Sequence, residues 1–143
     1  MSVEKILSGK GRDVVTVGPD RKLGEVAKTL HSHRIGAVVV VDGAGTVVGI
    51  VSERDVVNAV AEDGADALQA DVASRMTRDP ATCLPTASVD EIMALMTERK
   101  FRHVPVVEGG RLGGIISIGD VVKHRLADVE AEHQAMRDYI ATA

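Results

Sequence analysis

The sequence predicts an α/β (α+β) fold of two tandem β-α-β-β-α repeats related by pseudo-twofold symmetry, with a C-terminal helix after the second repeat. A valine-rich run that ends in polar residues occupies positions 47–57, and the same pattern returns at 112–122. Turn residues recur at a nearly constant offset, since Pro85 follows Pro19 by 66 positions and Gly114 follows Gly49 by 65. A repeat of this length indicates two duplicated units, each burying a face that the other would leave exposed.

Composition limits the class of protein further. The 143 residues, of which 45% are hydrophobic, suffice for one compact domain or two closely packed halves. One Phe, one Tyr and a formal net charge of -4 disfavour nucleic-acid binding, which needs aromatic stacking platforms or a basic surface. Cys83 has no intrachain partner, residues 1–10 lack a signal-peptide pattern, and no apolar run approaches the ~20 residues of a membrane span. We therefore expect a cytoplasmic protein without a membrane segment.

The first repeat, assigned to residues 1–66, contains helical and strand signals in alternation. Leu23, Val26, Ala27 and Leu30 lie at helical spacing, and the unbroken apolar run 37–41 is typical of a buried strand. The predicted elements are, in order, a helix over 2–7 broken by 8–11, a strand over 14–17, a helix over 22–33, a strand over 37–41, a hairpin turn at 42–45, a strand over 47–51 and a helix from Ser52 to about Ala61.

The second repeat is assigned to residues 67–125. It begins within a polar connector over 62–71, and a short helix or turn over 72–76 precedes its first strand. Its predicted elements are a strand over 81–84, a helix with the stripe Val89, Ile92, Met93 and Met96, a strand over 104–107, a turn at 108–110, and a strand that leads into a helix at Ser117. The last helix is expected to continue through 126–143. Its apolar stripe must be covered by its own domain or by a second subunit.

Each repeat has a Ser-x-x-Asp tetrad where its last strand becomes a helix, at Ser52 to Asp55 and at Ser117 to Asp120. This pattern is a helix-capping signature, and a single copy is more often a cap than a ligand site. The duplication and the flanking strand favour a ligand site for Asp120, and less strongly for Asp55. The two interpretations are compatible, because a serine can cap a helix and also contact a ligand.

Two segments of each repeat resemble a known motif. Residues 36–42 followed by 49–55, and residues 102–107 followed by 114–120, are similar to cystathionine β-synthase-type (CBS) motifs. The pair resembles a Bateman module over about residues 3–125, of the kind found in stand-alone CBS-pair proteins. This resemblance implies a regulatory module that binds AMP, ADP or ATP, and less readily NAD(H) or S-adenosylmethionine, in clefts between the repeats. It also implies a flat homodimer.

The resemblance implies roles for residues in the second cleft. The Asp would accept hydrogen bonds from ribose hydroxyls, the Ser at the helix start and the basic pair would bind phosphate, and the Thr and neighbouring strand residues would line the adenine pocket. The candidate residues are Thr82, Arg102, His103, Val104, Pro105, Ser117, Gly119 and Asp120.

The first cleft has corresponding candidates but a weaker charge pattern. Gly36 and Ala37 stand where the second repeat has Arg102 and His103, although Arg54 lies beside the aspartate. We therefore predict that the second site binds a phosphorylated ligand more tightly than the first. The candidate residues of the first site are Thr16, Gly36, Ala37, Val38, Ser52, Arg54 and Asp55.

Two hypotheses for function remain from the sequence. The first is a homodimeric adenine-nucleotide sensor with no required cofactor, and the alternative is a structural or partner-binding protein whose clefts are empty. The sequence has no nucleophile with a base and an orienting partner, so we predict no catalysis. We also predict no metal site, because His31 and His33 supply only two ligands.

Overall fold

The computed structural model describes residues 2–142. Met1 and Ala143, which the sequence prediction includes in the first repeat and the last helix, lie outside the described residues. The helices are α1 (Val3–Lys10), α2 (Leu23–His33), α3 (Glu53–Asp63), α4 (Val89–Arg99) and α5 (Ile118–Thr142). The strands are β1 (Thr16–Val17), β2 (Ala37–Val41), β3 (Val47–Ser52), β4 (Thr77–Arg78), β5 (His103–Glu108) and β6 (Arg111–Ser117). The predicted mixed fold of tandem repeats with a C-terminal helix is confirmed.

The first repeat contains a four-stranded sheet in the order β1-β2-β3-β4. Strand β1 runs parallel to β2, and the other neighbours are antiparallel. Val38 and Val40 of β2 pack with Leu23 and Val26 of α2 in the core of this repeat. Strand β4 is not among the predicted elements, because its two residues, Thr77 and Arg78, are exposed and have no apolar alternation.

The second repeat contains the antiparallel pair β5-β6, in which His103 lies opposite Ser117. The predicted strand over 81–84 is reduced to a single parallel bridge between Cys83 and Val106. Prolines at 80 and 85 bracket this segment, and a proline cannot donate to a sheet ladder, so regular pairing does not extend.

Helix α1 is longer than predicted, because Ser8 and Gly9 continue it to Lys10. The hydroxyl of Ser8 donates to the Glu4 carbonyl oxygen at 3.0 Å, and the helix ends only at Gly11, whose φ is 102°. Helix α1 packs on the second repeat, where its residues Val3, Ile6 and Leu7 join the core. Burial of this apolar face compensates for the weak helix propensity of serine and glycine.

The two repeats exchange the segments that precede them. Leu7 of α1 lies against Gly114 of β6, in the second repeat, so closely that a Cβ on Gly114 would lie 2.7 Å from Leu7 Cδ2. Met76, in the connector before the second repeat, lies against Gly49 of β3, where a Cβ would lie 2.5 Å from its Sδ atom. Each repeat therefore needs the other's leading segment to complete its core.

Helix α5 is a single helix of 25 residues, as the sequence predicts. Val121 is buried in the second repeat, whereas the neighbouring face of the helix has exposed apolar residues. These exposed residues are Ile118, Val122, Leu126, Val129, Met136 and Ile140. We call them the α5 stripe. No helix within residues 2–142 is both long enough and apolar enough to cross a membrane.

The contact between Leu7 and Gly114 leads to a stability prediction. Gly114→Ala should lower the free energy of unfolding by about 1–3 kcal/mol, because the added methyl group has no room beside a core leucine. Gly113→Ala is the matched control, since its nearest atom would be the Val106 carbonyl oxygen at 3.8 Å. Chemical denaturation of both variants measures the difference, and equal midpoints would contradict the proposed close packing.

Candidate functional site

The second Ser-x-x-Asp tetrad forms a hydrogen-bonded corner between β6 and α5. Asp120 Oδ2 accepts a hydrogen bond from the Ser117 backbone N–H at 2.9 Å, and the Asp120 N–H donates to Ser117 Oγ at 3.2 Å. These reciprocal bonds satisfy N–H groups that a helix start leaves without partners. The carboxylate therefore caps α5. The hydrogen bonds of this carboxylate within residues 2–142 all use Oδ2, which leaves Oδ1 for another donor.

Lys10 also binds this corner, although it is 110 positions away in the chain. Its Nζ atom lies 2.7 Å from Asp120 Oδ2 and donates a second hydrogen bond to the Ile115 carbonyl oxygen at 2.9 Å. The two charged side chains are 33% and 21% exposed, so the ion pair is partly shielded from water. Lys10 is not among the site residues predicted from the sequence, because only the packing of α1 on the second repeat brings it here.

The Asp120 carboxyl has a pKa below its ordinary value. Burial is the largest influence and opposes ionisation, but the hydrogen bonds from Lys10 and Ser117 together outweigh it. The group is therefore an anion at neutral pH. A carboxylate in this state accepts hydrogen bonds and does not donate them, as a partner for sugar hydroxyls must.

His103 lies where the two repeats meet. A Cβ on Gly36 would lie 3.2 Å from His103 Nε2 and 3.2 Å from Glu53 Oε1, so residues of the first repeat approach the imidazole closely. Burial lowers the pKa of His103; nearby Lys10 lowers it further, while the charge of Glu53 raises it. Without a ligand the imidazole is therefore neutral at neutral pH. The expected neutralisation of phosphate by His103 requires the phosphate itself to raise that pKa.

Arg102 precedes β5, and its side chain is exposed. Its carbonyl oxygen accepts a hydrogen bond from Ile118 N–H at 2.8 Å, just as the Gly36 carbonyl oxygen accepts from Glu53 N–H at 3.0 Å. These equivalent bonds show that the two corners have the same backbone geometry. The Arg102 side chain forms no ion pair with the residues that the structure describes.

The other candidates of the second site are dispersed. Val104 and Pro105 are buried in the strand, so they can contribute backbone groups but little side-chain surface. Thr82 is exposed beside Cys83 and lines a cavity of about 460 Å³ on the outer side of α4. Gly119 faces a different cavity, of about 690 Å³, along the α5 stripe. Burial raises the pKa of the Cys83 thiol to about 11, which keeps the thiol protonated at neutral pH.

The first corner repeats the capping arrangement without a bound cation. Asp55 Oδ2 accepts hydrogen bonds from the Ser52 backbone N–H at 2.8 Å and from Ser52 Oγ at 3.1 Å. No basic side chain within residues 2–142 lies at ion-pair distance from Asp55. The neighbouring Arg54 is exposed and forms no ion pair in the same part of the chain.

The other candidates of the first site are not brought together at one cavity. Thr16 is exposed and lines two of them, one of about 730 Å³ in the first repeat and one of about 450 Å³ that reaches Arg111 of the second. Gly36 lines a third, of about 470 Å³, between α2 and α3. Ala37 and Val38 are buried in β2. Neither Asp55 nor Asp120 lines any of the five cavities described here, so a ligand would have to widen the corner.

The chain belongs to the CBS domain family. The family model matches two segments, residues 10–62 and 70–127, which are the two repeats of the fold. This confirms the resemblance inferred from the motifs. A curated relative from Acidianus ambivalens, described as an uncharacterized 17.7 kDa protein, is 34% identical over 111 residues, which are 77% of this chain and 66% of the relative.

Solved structures of other CBS-domain proteins have the same fold. The CBS-domain containing protein ATU1752 from Agrobacterium tumefaciens is 57% identical, with a TM-score of 0.84 over 87% of this chain and 92% of that chain. The CBS domain protein PAE2072 from Pyrobaculum aerophilum, complexed with AMP, is 30% identical, with a TM-score of 0.76 over 84% and 89%. The CBS domain pair of MJ0100, in complex with 5-methylthioadenosine and S-adenosyl-L-methionine, is 26% identical, with a TM-score of 0.80 over 90% and 98%.

Proposed function

We propose that this chain is a regulatory module that binds an adenine nucleotide of the AMP, ADP or ATP type in the second cleft. The observation that carries the proposal is the second corner, where ionised Asp120 lies beside Ser117 and pairs with Lys10, and where Arg102 and His103 lie at the start of the neighbouring strand β5. Asp120 can accept hydrogen bonds from a ribose, and the cations Lys10 and Arg102 can bind a phosphate. Together these groups suit a nucleotide. The adenosyl ligands of PAE2072 and MJ0100 support the same class of ligand.

In this proposal each side chain contacts a different part of the ligand. Asp120 accepts hydrogen bonds from the two ribose hydroxyls, one through Oδ1, which the cap does not use, and one through Oδ2 after Lys10 has left it. Arg102 extends from the adjacent strand end as a phosphate donor. Thr82 and the buried strand residues Val104 and Pro105 offer mainly backbone groups to adenine. Such contacts recognise the adenosyl group, which NAD(H) and S-adenosylmethionine also contain. These two ligands are therefore secondary candidates.

The first cleft is the weaker site in this proposal. Asp55 has the same capping geometry as Asp120, but Gly36 and Ala37 replace the basic pair, and only Arg54 adds a nearby positive charge. A triphosphate or monophosphate would therefore lose part of its charge compensation there. We expect two unequal affinities, with the higher affinity in the second cleft.

The proposed activity is regulation and not catalysis. Binding can transmit a signal only if the ligand favours one arrangement of the two repeats over another. His103, Gly36 and Glu53 meet at the contact between the repeats, so a ligand that moves the imidazole also changes that contact. The lone Cys83, which has no intrachain disulfide partner, is compatible with work in a reducing cytoplasm.

A second candidate function is a partner-binding protein without a ligand. The observation that favours it is that both aspartates already cap their helices, and that Asp120 has an ion pair in addition. A carboxylate satisfied in this way does not need a sugar. Thermal melts that no adenine nucleotide shifts would favour this function, because a ligand that binds only the folded state must raise the melting temperature.

Calorimetric titration with AMP, ADP, ATP, NADH and S-adenosylmethionine tests the sensor proposal. We expect AMP, ADP or ATP to bind wild-type protein, Asp120→Ala to weaken that binding at least tenfold, and Asp55→Ala to weaken it less. Glu62→Ala is the matched control, because it removes a carboxylate that pairs with Arg75 and that lines none of the five cavities. No binding below the millimolar range, or equal losses in Asp120→Ala and Glu62→Ala, would contradict the proposal.

We further propose that the module is a homodimer in which the α5 stripe packs against a second copy. The stripe residues from Val122 onward, together with His133, alternate in spacings of three and four, the pattern of a helix-pairing seam. Val121 and half-buried His124 face the second repeat, whereas the stripe residues are between 45% and 67% exposed. The stripe therefore cannot be covered by its own domain, and a second copy offers an identical apolar surface.

Substitution in the stripe tests this homodimer. Leu126→Glu should convert the dimer to monomers, because it places a charge in the apolar seam. Ala131→Glu adds the same charge on the opposite, exposed side of α5 and should leave the dimer intact. Analytical ultracentrifugation measures both variants. A monomeric wild type, or dimers of equal strength in both variants, would rule out the stripe as the interface.

A further inference from the structure

The ion pair between Lys10 and Asp120 occupies the residue to which the proposed function assigns the ribose. We propose that Lys10 makes the second site selective for phosphorylated adenosyl ligands over uncharged ones. In the free protein Lys10 binds Asp120, and in the complex it binds the ligand's phosphate while the ribose binds Asp120. This inference rests on the proposed function and adds a specificity-determining residue to it.

Lys10 has a second hydrogen-bond partner besides Asp120, and its side chain is free to turn. Its Nζ atom has two partners, the Asp120 carboxylate at 2.7 Å and the Ile115 carbonyl oxygen at 2.9 Å. The Lys10 side chain is 33% exposed, so its ammonium can turn toward a ligand without crossing the core. It also contributes to the charge environment of His103, which places it on the side of the corner where the basic pair lies.

The anchoring of α1 holds Lys10 at this place. The Val3 and Glu4 N–H groups donate to the carbonyl oxygens of Ala87 and Pro85, each at 2.9 Å, and Leu7 is buried against Gly114. Lys10 is the last residue of this helix, where the negative end of the helix dipole favours a cation. A fixed helix with a flexible terminal side chain can present the same ammonium to either of two anions.

The first corner has no such cation. Asp55 makes the same capping bonds as Asp120, but no basic side chain within the described part of the chain lies at ion-pair distance. Selection by ligand charge is therefore a property of the second corner and not of the Ser-x-x-Asp tetrad in general.

The exchange of partners distinguishes ligands by charge. Adenosine would have to remove Lys10 from a partly buried carboxylate and would leave the ammonium without an anion. AMP offers a phosphate in return, so the positive charge keeps a partner throughout binding. The same ion pair therefore opposes binding of an uncharged ligand and favours a charged one.

Calorimetry with AMP and adenosine on four proteins tests this inference: wild type, Lys10→Met, Lys10→Arg and Lys5→Met. Lys10→Met should lower the ratio of AMP affinity to adenosine affinity about tenfold, by weakening AMP binding while adenosine binding stays equal or improves. Lys10→Arg keeps the charge and should retain most of the selectivity. Lys5→Met removes a charge from an exposed position of the same helix and should leave the ratio unchanged.

The outcomes separate the two proposals. If wild type binds AMP but Lys10→Met has the wild-type ratio, the selectivity role of Lys10 is wrong and the nucleotide site stands. If wild type binds neither ligand, the proposed function fails and this inference fails with it. An equal loss of affinity for AMP and adenosine in Lys10→Met, with an unchanged thermal melt, would show that Lys10 only shapes the corner.

Discussion

The structure depends on the exchange of leading segments between the two repeats. Leu7 fills the space above Gly114 in the second repeat, and Met76 fills the space above Gly49 in the first. A side chain at either glycine would push the leading segment away from the sheet, so two small residues set how closely each segment packs. Because α1 is held in this way, Lys10 reaches Asp120. His103 of the second repeat lies close to Gly36 and Glu53 of the first. The candidate site is thus a product of the packing between repeats.

One capping chemistry serves more than one purpose in this chain. Ser52 with Asp55, Ser88 with Glu91 and Ser117 with Asp120 all join a serine hydroxyl and an acidic side chain across a helix start. The cap itself therefore does not define a ligand site. What distinguishes Asp120 is its surroundings, since it is partly buried, ionised and next to Lys10, with His103 and Arg102 close by.

The sequence predicted the larger elements well because their signals are local. The apolar run of β2 and the helical spacing of α2 follow directly from residue order, and the duplicated tetrads indicate both corners. Strand β4 depends on its pairing with β3, so no local pattern identifies it. The reduced pairing around Cys83 follows from the two flanking prolines, whose effect the strand prediction did not include. Lys10 is the clearest case: its role depends on α1 packing against the second repeat, and a lysine before a glycine carries no such information. The neutral state of His103 likewise follows from burial that only the fold creates.

The central claim is that the corner at Ser117 and Asp120 holds the nucleotide. Two-dimensional NMR of backbone amides during a titration with AMP tests it most directly, because the Ser117 N–H is bonded to the carboxylate that would receive the ribose. The account predicts saturable shifts that are largest at Ser117, Asp120 and His103 and smaller at Ser52 and Asp55. Saturable shifts confined to residues away from both corners, or no shifts at all, would contradict it.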